Sequence, residues 1–271
     1  MTDRYAVIGN PVAHSKSPRI HAAFARQTAQ DIDYGAILAP LDGFAAAVAA
    51  FRAGGGRGLN VTVPFKLEAC ALATELSERA RAAGAVNTLK FEHGNALGDN
   101  TDGAGLVADI TARLGISLAG KRVLLMGAGG AARGVIRPLL DARPAELAIA
   151  NRTVAKAVAL AREFAPHGPI RGGAYADLAG ARFDVIINAT SASLAGAVPP
   201  LPEDVFAPRS LAYDMVYGDA PTPFLEFAKA KGAARAADGL GMLIAQAAES
   251  FAFWRGVRPD TRPVIEMLRE S

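Results

Sequence analysis

The chain has 271 residues, 51% hydrophobic and 20% charged, enough to bury one large core or two smaller ones, and two domains are expected. Its 29 Lys and Arg against 26 Asp and Glu leave a formal charge of +3 with no basic block, which excludes an obvious nucleic-acid surface while allowing a mildly basic cleft for an anionic small molecule. The single Cys70 excludes an intramolecular disulfide; it sits in the apolar run LEACALATEL without the neighbours a metal needs and reads as core. The N-terminus carries too short an apolar stretch for a signal peptide, and no uninterrupted apolar run approaches the roughly 18 residues of a membrane span, so a cytoplasmic protein is expected.

In chain order, short β-rich runs alternate with helical patterns, which predicts the α/β class with parallel strands joined by crossover helices. Strands are expected at residues 5–9, 33–38 and 59–63, and helices at Pro18–Gln30, Leu41–Ala53 and Lys66–Ala83. The segment AVNTLKFEHGNALGDNTD reads as a hairpin around His93-Gly94-Asn95, because Gly and Asn accept the positive φ of a tight turn. The helix GLVADITARLG leads out of this half, with a domain boundary near Asp102. Beyond Lys121 come strands RVLLMG, ELAIAN, DVIINAT and LAYDMVY, with helices near 130–140, 153–165 and 222–231. The segment GLGMLIAQAAESFAFWRG is apolar around most of its circumference and predicts a buried helix. There is no internal repeat and no low-complexity linker.

The strand VLLM runs into Gly127-Ala128-Gly129-Gly130-Ala131-Ala132, a G-x-G-x-x-A turn between strand and helix. Gly127 suits the tight turn, Gly129 admits a pyrophosphate to the backbone, and Ala132 lets the helix pack close. This is the signature of a Rossmann-type, doubly wound dinucleotide domain. Such domains carry an acidic residue for the adenosine ribose about 20 residues on. Here stand Asn151, Arg152 and Thr153, with Lys156 one turn later, a neutral-to-cationic group that suits a 2′-phosphate and so predicts NADP(H) over NAD. Asn188-Ala189-Thr190-Ser191 closes the strand DVIINAT at the carboxyl edge, where Thr190 and Ser191 are expected to line the cofactor groove. In the first half, Ser15, Ser17, Thr62, Lys66, Asn87 and Asp102 cluster at breaks in the apolar pattern, a donor and acceptor set suited to a small polyhydroxylated acid. His14 and His21 read as structural or solvent-facing.

Taken together, GNPVAHSKSPRIH, NVTVPFK, GAVNTL, GDNTDGAG, the glycine turn, NRT, NATS, YDMVY and ADGLGMLIAQA resemble the shikimate dehydrogenases in order, spacing and total length. The resemblance implies reversible reduction of 3-dehydroshikimate to shikimate by NADPH, in the pathway to chorismate and the aromatic amino acids. It implies an N-terminal α/β substrate domain with a mostly parallel sheet, formed by residues 1–101 plus 238–271, and a Rossmann domain over 102–237. By the same likeness Ser15, Ser17 and Tyr217 hold the substrate carboxylate; Thr62, Lys66, Asn87, Asp102 and Gln246 hold its hydroxyls and carbonyl; Met215 and Gly239 lie against the nicotinamide. Lys66 and Asp102 are the implied catalytic pair: hydride arriving at a ketone carbon builds charge on oxygen that an ammonium can neutralise with a proton. The implied partner is the small-molecule substrate, with a monomer or homodimer, no metal, no membrane and no nucleic acid. Two departures from the family pattern are Ala22-Ala23-Phe24, where an amide is common, and Ser193, where glycine is usual. The alternatives are a quinate/shikimate dehydrogenase paralogue with broader substrate or NAD use, and an inactive nucleotide-sensing regulator.

Overall fold

The computed structural model describes residues 2–270. The chain divides into two compact units, one running to Gly105 and resuming at Ile244, the other comprising Leu106–Leu243.

The first unit opens with β1 (Asp3–Gly9), α1 (Ser17–Gln27), β2 (Ile32–Leu38), α2 (Phe44–Ala53) and β3 (Gly56–Val61). It continues with α3 (Lys66–Leu72), β4 (Glu75–Leu76), α4 (Glu78–Ala83), β5 (Thr88–Glu92) and β6 (Asn95–Asp99). Its sheet has the order β2-β1-β3-β5-β6-β4. β1 runs parallel to both β2 and β3, β4 runs parallel to β6, and the β5–β6 hairpin is antiparallel. The hairpin turn is made by His93 and Gly94, with φ of 48° and 86°, the paired positive values of a type I′ turn. Asn95 is already the first residue of β6.

The helix expected across Lys66–Ala83 is broken into α3 and α4. Apolar spacing suited one helix, but Thr74 and Ser77 offer the backbone other partners: Thr74 N–H donates to Ala96 O at 2.8 Å and Ser77 N–H to Gly98 O at 2.9 Å. These bonds recruit β4 to the sheet edge. Ser77 then caps α4, its hydroxyl accepting from Ala80 N–H at 3.1 Å.

The helix α5 (Asp102–Ala108) carries the unit boundary and runs on as a π-helical turn over Asp109–Arg113. The second unit contains β7 (Arg122–Met126), α6 (Gly130–Asp141), β8 (Glu146–Ala150), α7 (Val154–Phe164) and β9 (Ile170–Gly173). It is completed by β10 (Phe183–Asn188), β11 (Phe206–Asp214), α8 (Pro223–Ala230) and β12 (Arg235–Ala237). All strands are parallel, in the order β12-β11-β10-β7-β8-β9. The continuous apolar runs are explained by burial on both faces: Val123, Leu124, Leu125 and Met126, like Val185, Ile186 and Ile187, are fully buried. Strand order reverses between β7 and β10, the place where doubly wound sheets open a crevice at their carboxyl ends. The outer strands β9 and β12 were not legible as strands, being three or four residues long and rich in Gly, Ala and Arg.

The buried helix predicted near the C-terminus is α9 (Leu240–Arg255), followed by α10 (Arg262–Arg269), which the sequence reading missed. From Ile244 onward, α9 contributes to the first unit: Phe251 is fully buried, and Trp254 stacks on Tyr5 with ring centroids 4.7 Å apart while its indole N–H donates to Leu89 O at 2.9 Å. Cys70 is half-buried and packs against the first unit's core.

Candidate active site

The loops leaving β3 and β6, the connection into β5, and the face of α9 bring five polar side chains together in the first unit. Lys66 opens α3 directly after the turn Thr62-Val63-Pro64-Phe65, which is closed by Phe65 N–H donating to Thr62 O at 3.1 Å. Asp102 opens α5, and its N–H donates to Asn100 Oδ1 at 3.2 Å. The Lys66 ammonium donates to Asp102 Oδ2 at 2.6 Å. The lysine side chain remains 31% exposed, against 16% for the aspartate, so the ammonium stays within reach of a ligand and has further protons to offer one.

Asn87 holds the other side of Asp102. Its backbone is pinned between β3 and β6, with Val61 N–H donating to Asn87 O at 2.7 Å and Asn87 N–H to Asp99 O at 3.0 Å. Its side-chain nitrogen donates to Asp102 Oδ1 at 2.8 Å, to Thr101 Oγ1 at 2.9 Å and to Gln246 Oε1 at 3.3 Å. Its side-chain oxygen accepts from the Thr101 N–H and the Thr88 hydroxyl, each at 2.9 Å. Every polar atom of this buried amide is therefore committed, which sets its orientation without ambiguity. Gln246, on α9, also accepts from the Thr101 hydroxyl at 3.1 Å.

The same unit carries Ser15 and Ser17 where α1 begins, Ser17 buried and Ser15 accepting from Ser17 N–H at 3.2 Å. Thr62 is half-buried at the end of β3. His14 is exposed, whereas His21 is fully buried, stacked on Tyr34 with centroids 4.2 Å apart, and neither ring nitrogen makes a hydrogen bond of normal geometry. Burial drives the His21 pKa down to about 3, with Asn60 opposing it weakly.

In the second unit, β7 ends at the glycine turn. Gly127 has φ of 106° and donates to Ala150 O at 2.8 Å, while a Cβ there would lie 3.2 Å from Ala189 O. Gly129, Gly130 and Ala131 are exposed, Ala128 is half-buried, and Ala132 is buried against the sheet. A Cβ on Gly129 or Gly130 would meet nothing within 4 Å, so no packing in this unit explains their smallness. The helix α6 starts there with no side-chain cap and no acid in its first turn, an arrangement that leaves its N–H end for an anion. At the neighbouring end of β8, Asn151 folds over its own turn, its amide donating to Thr153 O at 2.9 Å, and Arg152, Thr153 and Lys156 are exposed. These residues fit a phosphorylated dinucleotide: a bare helix N-terminus for a pyrophosphate and a cation-hydroxyl pair for a 2′-phosphate.

After β10, the Thr190 hydroxyl donates to Asn188 Oδ1 at 2.7 Å and Ser191 is exposed. Met215 N–H donates to Asn188 O at 2.9 Å, which fixes the β11 exit beside this loop. Gly239 is buried, and a Cβ there would come within 2.2 Å of Met215 O, so no other residue fits. Tyr217 is half-buried, and burial raises its phenol pKa. Ser193, flagged as a departure, donates to the fully buried Asp214 carboxylate at 2.6 Å, and Thr222 donates to the same oxygen at 2.6 Å. The serine is thus part of what holds the loop.

Thus Lys66, Asp102, Asn87 and Gln246 are joined in that order by hydrogen bonds, Ser15, Ser17 and Thr62 share their unit, and the dinucleotide candidates, with Met215, Tyr217 and Gly239, share the other. Thr101 and Ser250 were not picked out in the sequence. Thr101 stands inside the DNTD motif and could have been; Ser250 lies one helical turn beyond Gln246, the signal that would have found it. Among the described residues no cluster of three or more His, Cys, Asp or Glu side chains is arranged to hold a metal, and no helix is long and apolar enough to cross a membrane.

Three family descriptions match this chain: the shikimate dehydrogenase substrate-binding domain over residues 7–89, shikimate/quinate 5-dehydrogenase over 109–196, and the shikimate 5′-dehydrogenase C-terminal domain over 239–269. The shikimate dehydrogenase (NADP(+)) of Nitrosospira multiformis is 66% identical over 100% of this chain and 98% of its own. Among solved structures, an Ael1 enzyme from Pseudomonas putida is 54% identical with a TM-score of 0.95, covering 98% of each chain. The Thermus thermophilus shikimate 5-dehydrogenase, solved with NADP(H) and shikimate, is 36% identical with a TM-score of 0.87, covering 99% of each chain. With two α/β units and this pair of sites, the chain belongs to the shikimate dehydrogenase family.

Proposed function

We propose that the protein is an NADP-dependent oxidoreductase that interconverts 3-dehydroshikimate and shikimate, with Lys66 moving the proton. The observation that carries this reading is the Lys66–Asp102 ion pair at 2.6 Å, braced by Asn87 and left partly open. The likeness to a named shikimate dehydrogenase over the full chain supports the substrate.

Asp102 fixes the ammonium, and Asn87 fixes Asp102, so the proton donor is placed before substrate arrives. As the ketone is reduced, negative charge grows on its oxygen; the Lys66 ammonium stabilises that charge and transfers one proton to it, leaving a neutral amine. In oxidation the amine takes the hydroxyl proton back. Asn87, Thr62 and Gln246 pair with substrate hydroxyls, which penalises analogues lacking them, and Ser15 and Ser17 hold the carboxylate. Residues 127–131 would hold the pyrophosphate of NADP(H), Asn151, Arg152, Thr153 and Lys156 its 2′-phosphate, and Thr190, Ser191, Met215 and Gly239 its nicotinamide end. When bound, that cofactor supplies or accepts the hydride. A cytoplasmic monomer or homodimer, with the first unit as substrate domain and the second as cofactor domain, is the setting this reading takes.

The test is absorbance at the reduced-nicotinamide band with shikimate or quinate and NADP or NAD. Rapid turnover is expected with shikimate and NADP. Lys66→Ala should lower kcat by roughly 10²- to 10⁴-fold while calorimetry shows unchanged NADP binding. Comparable quinate or NAD turnover would point to the broader paralogue, and no turnover with any pair would sink the enzymatic reading.

A further inference from the structure

The polar cluster around Lys66 continues inward behind Asn87. β5 lies beside β3 in antiparallel register, which sets Thr88 directly opposite Asn60 with both side chains on one face. Ser250, on α9, meets that face: its hydroxyl is 2.8 Å from the Thr88 hydroxyl and accepts from Asn60 Nδ2 at 2.9 Å. Asn60 Nδ2 also reaches the Thr88 hydroxyl at 3.3 Å, and Asn60 Oδ1 accepts the Tyr34 phenol proton at 2.7 Å. Asn60, Asn87, Thr88 and Ser250 are each under a tenth exposed, so a group that loses its partner here is left in a desolvated site.

The protons available give these bonds a direction. The Asn87 side-chain oxygen has no proton to give, so its 2.9 Å contact with Thr88 uses the single hydroxyl proton of the threonine. Thr88 can then only accept from Ser250, which supplies the proton of their 2.8 Å contact while its own oxygen takes one from Asn60. The other outlets for the Ser250 proton are longer, Gln246 O at 3.1 Å and the Thr101 hydroxyl at 3.2 Å. The donors therefore run one way, from Tyr34 through Asn60, Ser250, Thr88 and Asn87, and end on Asp102 Oδ1, which accepts from Asn87 Nδ2 at 2.8 Å. Hydrogen bonds aligned in this way polarise each next donor, and the last of them falls on the carboxylate that holds Lys66. Thr88 is the link that touches Asn87, and branching at Cβ restricts the rotamers its hydroxyl can take.

We infer that Thr88 is a positioning residue for proton transfer: its hydroxyl, backed by Ser250 and Asn60, fixes the Asn87 amide, and through that amide the Asp102 carboxylate that places Lys66. This inference rests on the catalytic roles proposed above. Thr88 is sealed from solvent and acts on the reacting atoms only through Asn87, so the loss of its hydroxyl is read chiefly in kcat.

The experiment uses the full-length protein with shikimate and NADP. Thr88→Val keeps the shape and removes the hydroxyl; it should lower kcat about 5- to 20-fold, raise the shikimate KM less than about three-fold, and leave the calorimetric Kd for NADP unchanged. Thr88→Ser, which restores the hydroxyl, should bring kcat back to within about three-fold of wild type. Combining Thr88→Val with Asn87→Ala should be no worse than Asn87→Ala alone, because the threonine acts through the asparagine. A merely structural hydroxyl would lower the melting temperature and leave kcat where it is. That result, a rise in KM at constant kcat, a Thr88→Ser variant as slow as Thr88→Val, or additive effects in the combined variant would each overturn the inference. Should Thr88→Val not fold, Ser250→Ala decides: it takes a donor from Thr88 without removing a partner of Asn87, and kcat should fall about 2- to 5-fold, an unchanged kcat overturning the inference. If the wild-type protein does not turn shikimate over, it is the functional reading beneath it that fails.

Discussion

His21 and Lys66 both carry a nitrogen that can hold a proton, and their surroundings give them opposite roles. Lys66 reaches the solvent edge beside a carboxylate, whereas His21 is sealed among Tyr34, Phe24, Phe251 and Trp254. Burial lowers the His21 pKa from 6.5 to about 3, so the folded protein keeps it neutral and the unfolded chain binds the extra proton between those values. The stability due to a neutral His21 is complete above pH 6.5 and is lost as pH falls towards 3. Urea melts should show a loss of about 2 kcal/mol between pH 7 and pH 5 that is missing in His21→Phe. Equal slopes in the two proteins would mean that the histidine is not held neutral. The serines, Asn87, Asp102 and Lys66 were legible one by one as polar breaks in apolar runs, but a lone histidine looks the same in sequence whether it is sealed or exposed. His14 and His21, seven residues apart, differ only in what the fold packs over them.

At the level of elements, periodicity located most strands and helices, and it failed where hydrogen bonds across the sheet competed with it. The segment from Lys66 to Ala83 has helical spacing, yet Thr74 and Ser77 bond to β6 and split it. Ser77 does two things there, accepting from Ala80 N–H as the α4 cap and donating to the buried Asp99 at 2.5 Å. Ser77→Ala should cost about 1–3 kcal/mol, read as a lower urea midpoint, with the larger value expected if Asp99 is left short of a donor. An unchanged midpoint would show that the break in the helix does not depend on the cap. The short edge strands β4, β9 and β12 escaped notice because two to four residues are too few for a period to register.

For the molecule as a whole, the chain order of the units has an energetic consequence. The first unit is not complete at Gly105: Phe251 and Trp254 from α9 fill its core, and truncating a buried aromatic costs about 3–5 kcal/mol, comparable for the two together with the whole stability of a domain. The second unit is contiguous and has its own buried cluster around Leu124, Ile186 and Phe224. A fragment of residues 106–243 should therefore show a cooperative thermal transition by circular dichroism, and a fragment of residues 1–105 should not. A cooperative melt of the shorter N-terminal fragment would refute this division of the core. The sequence by itself determined the α/β class, the glycine turn with its phosphate-favouring Asn-Arg-Thr partner, and the candidate residues of the substrate site, because these are written in local spacing and residue chemistry. Only the tertiary structure decided that Asn87 spends all its hydrogen bonds, that Gln246 and Ser250 arrive from a helix more than 140 residues away to join Thr101, and that Tyr34 donates to Asn60, since hydrogen bonds between distant segments depend on chain path and burial rather than on any local pattern.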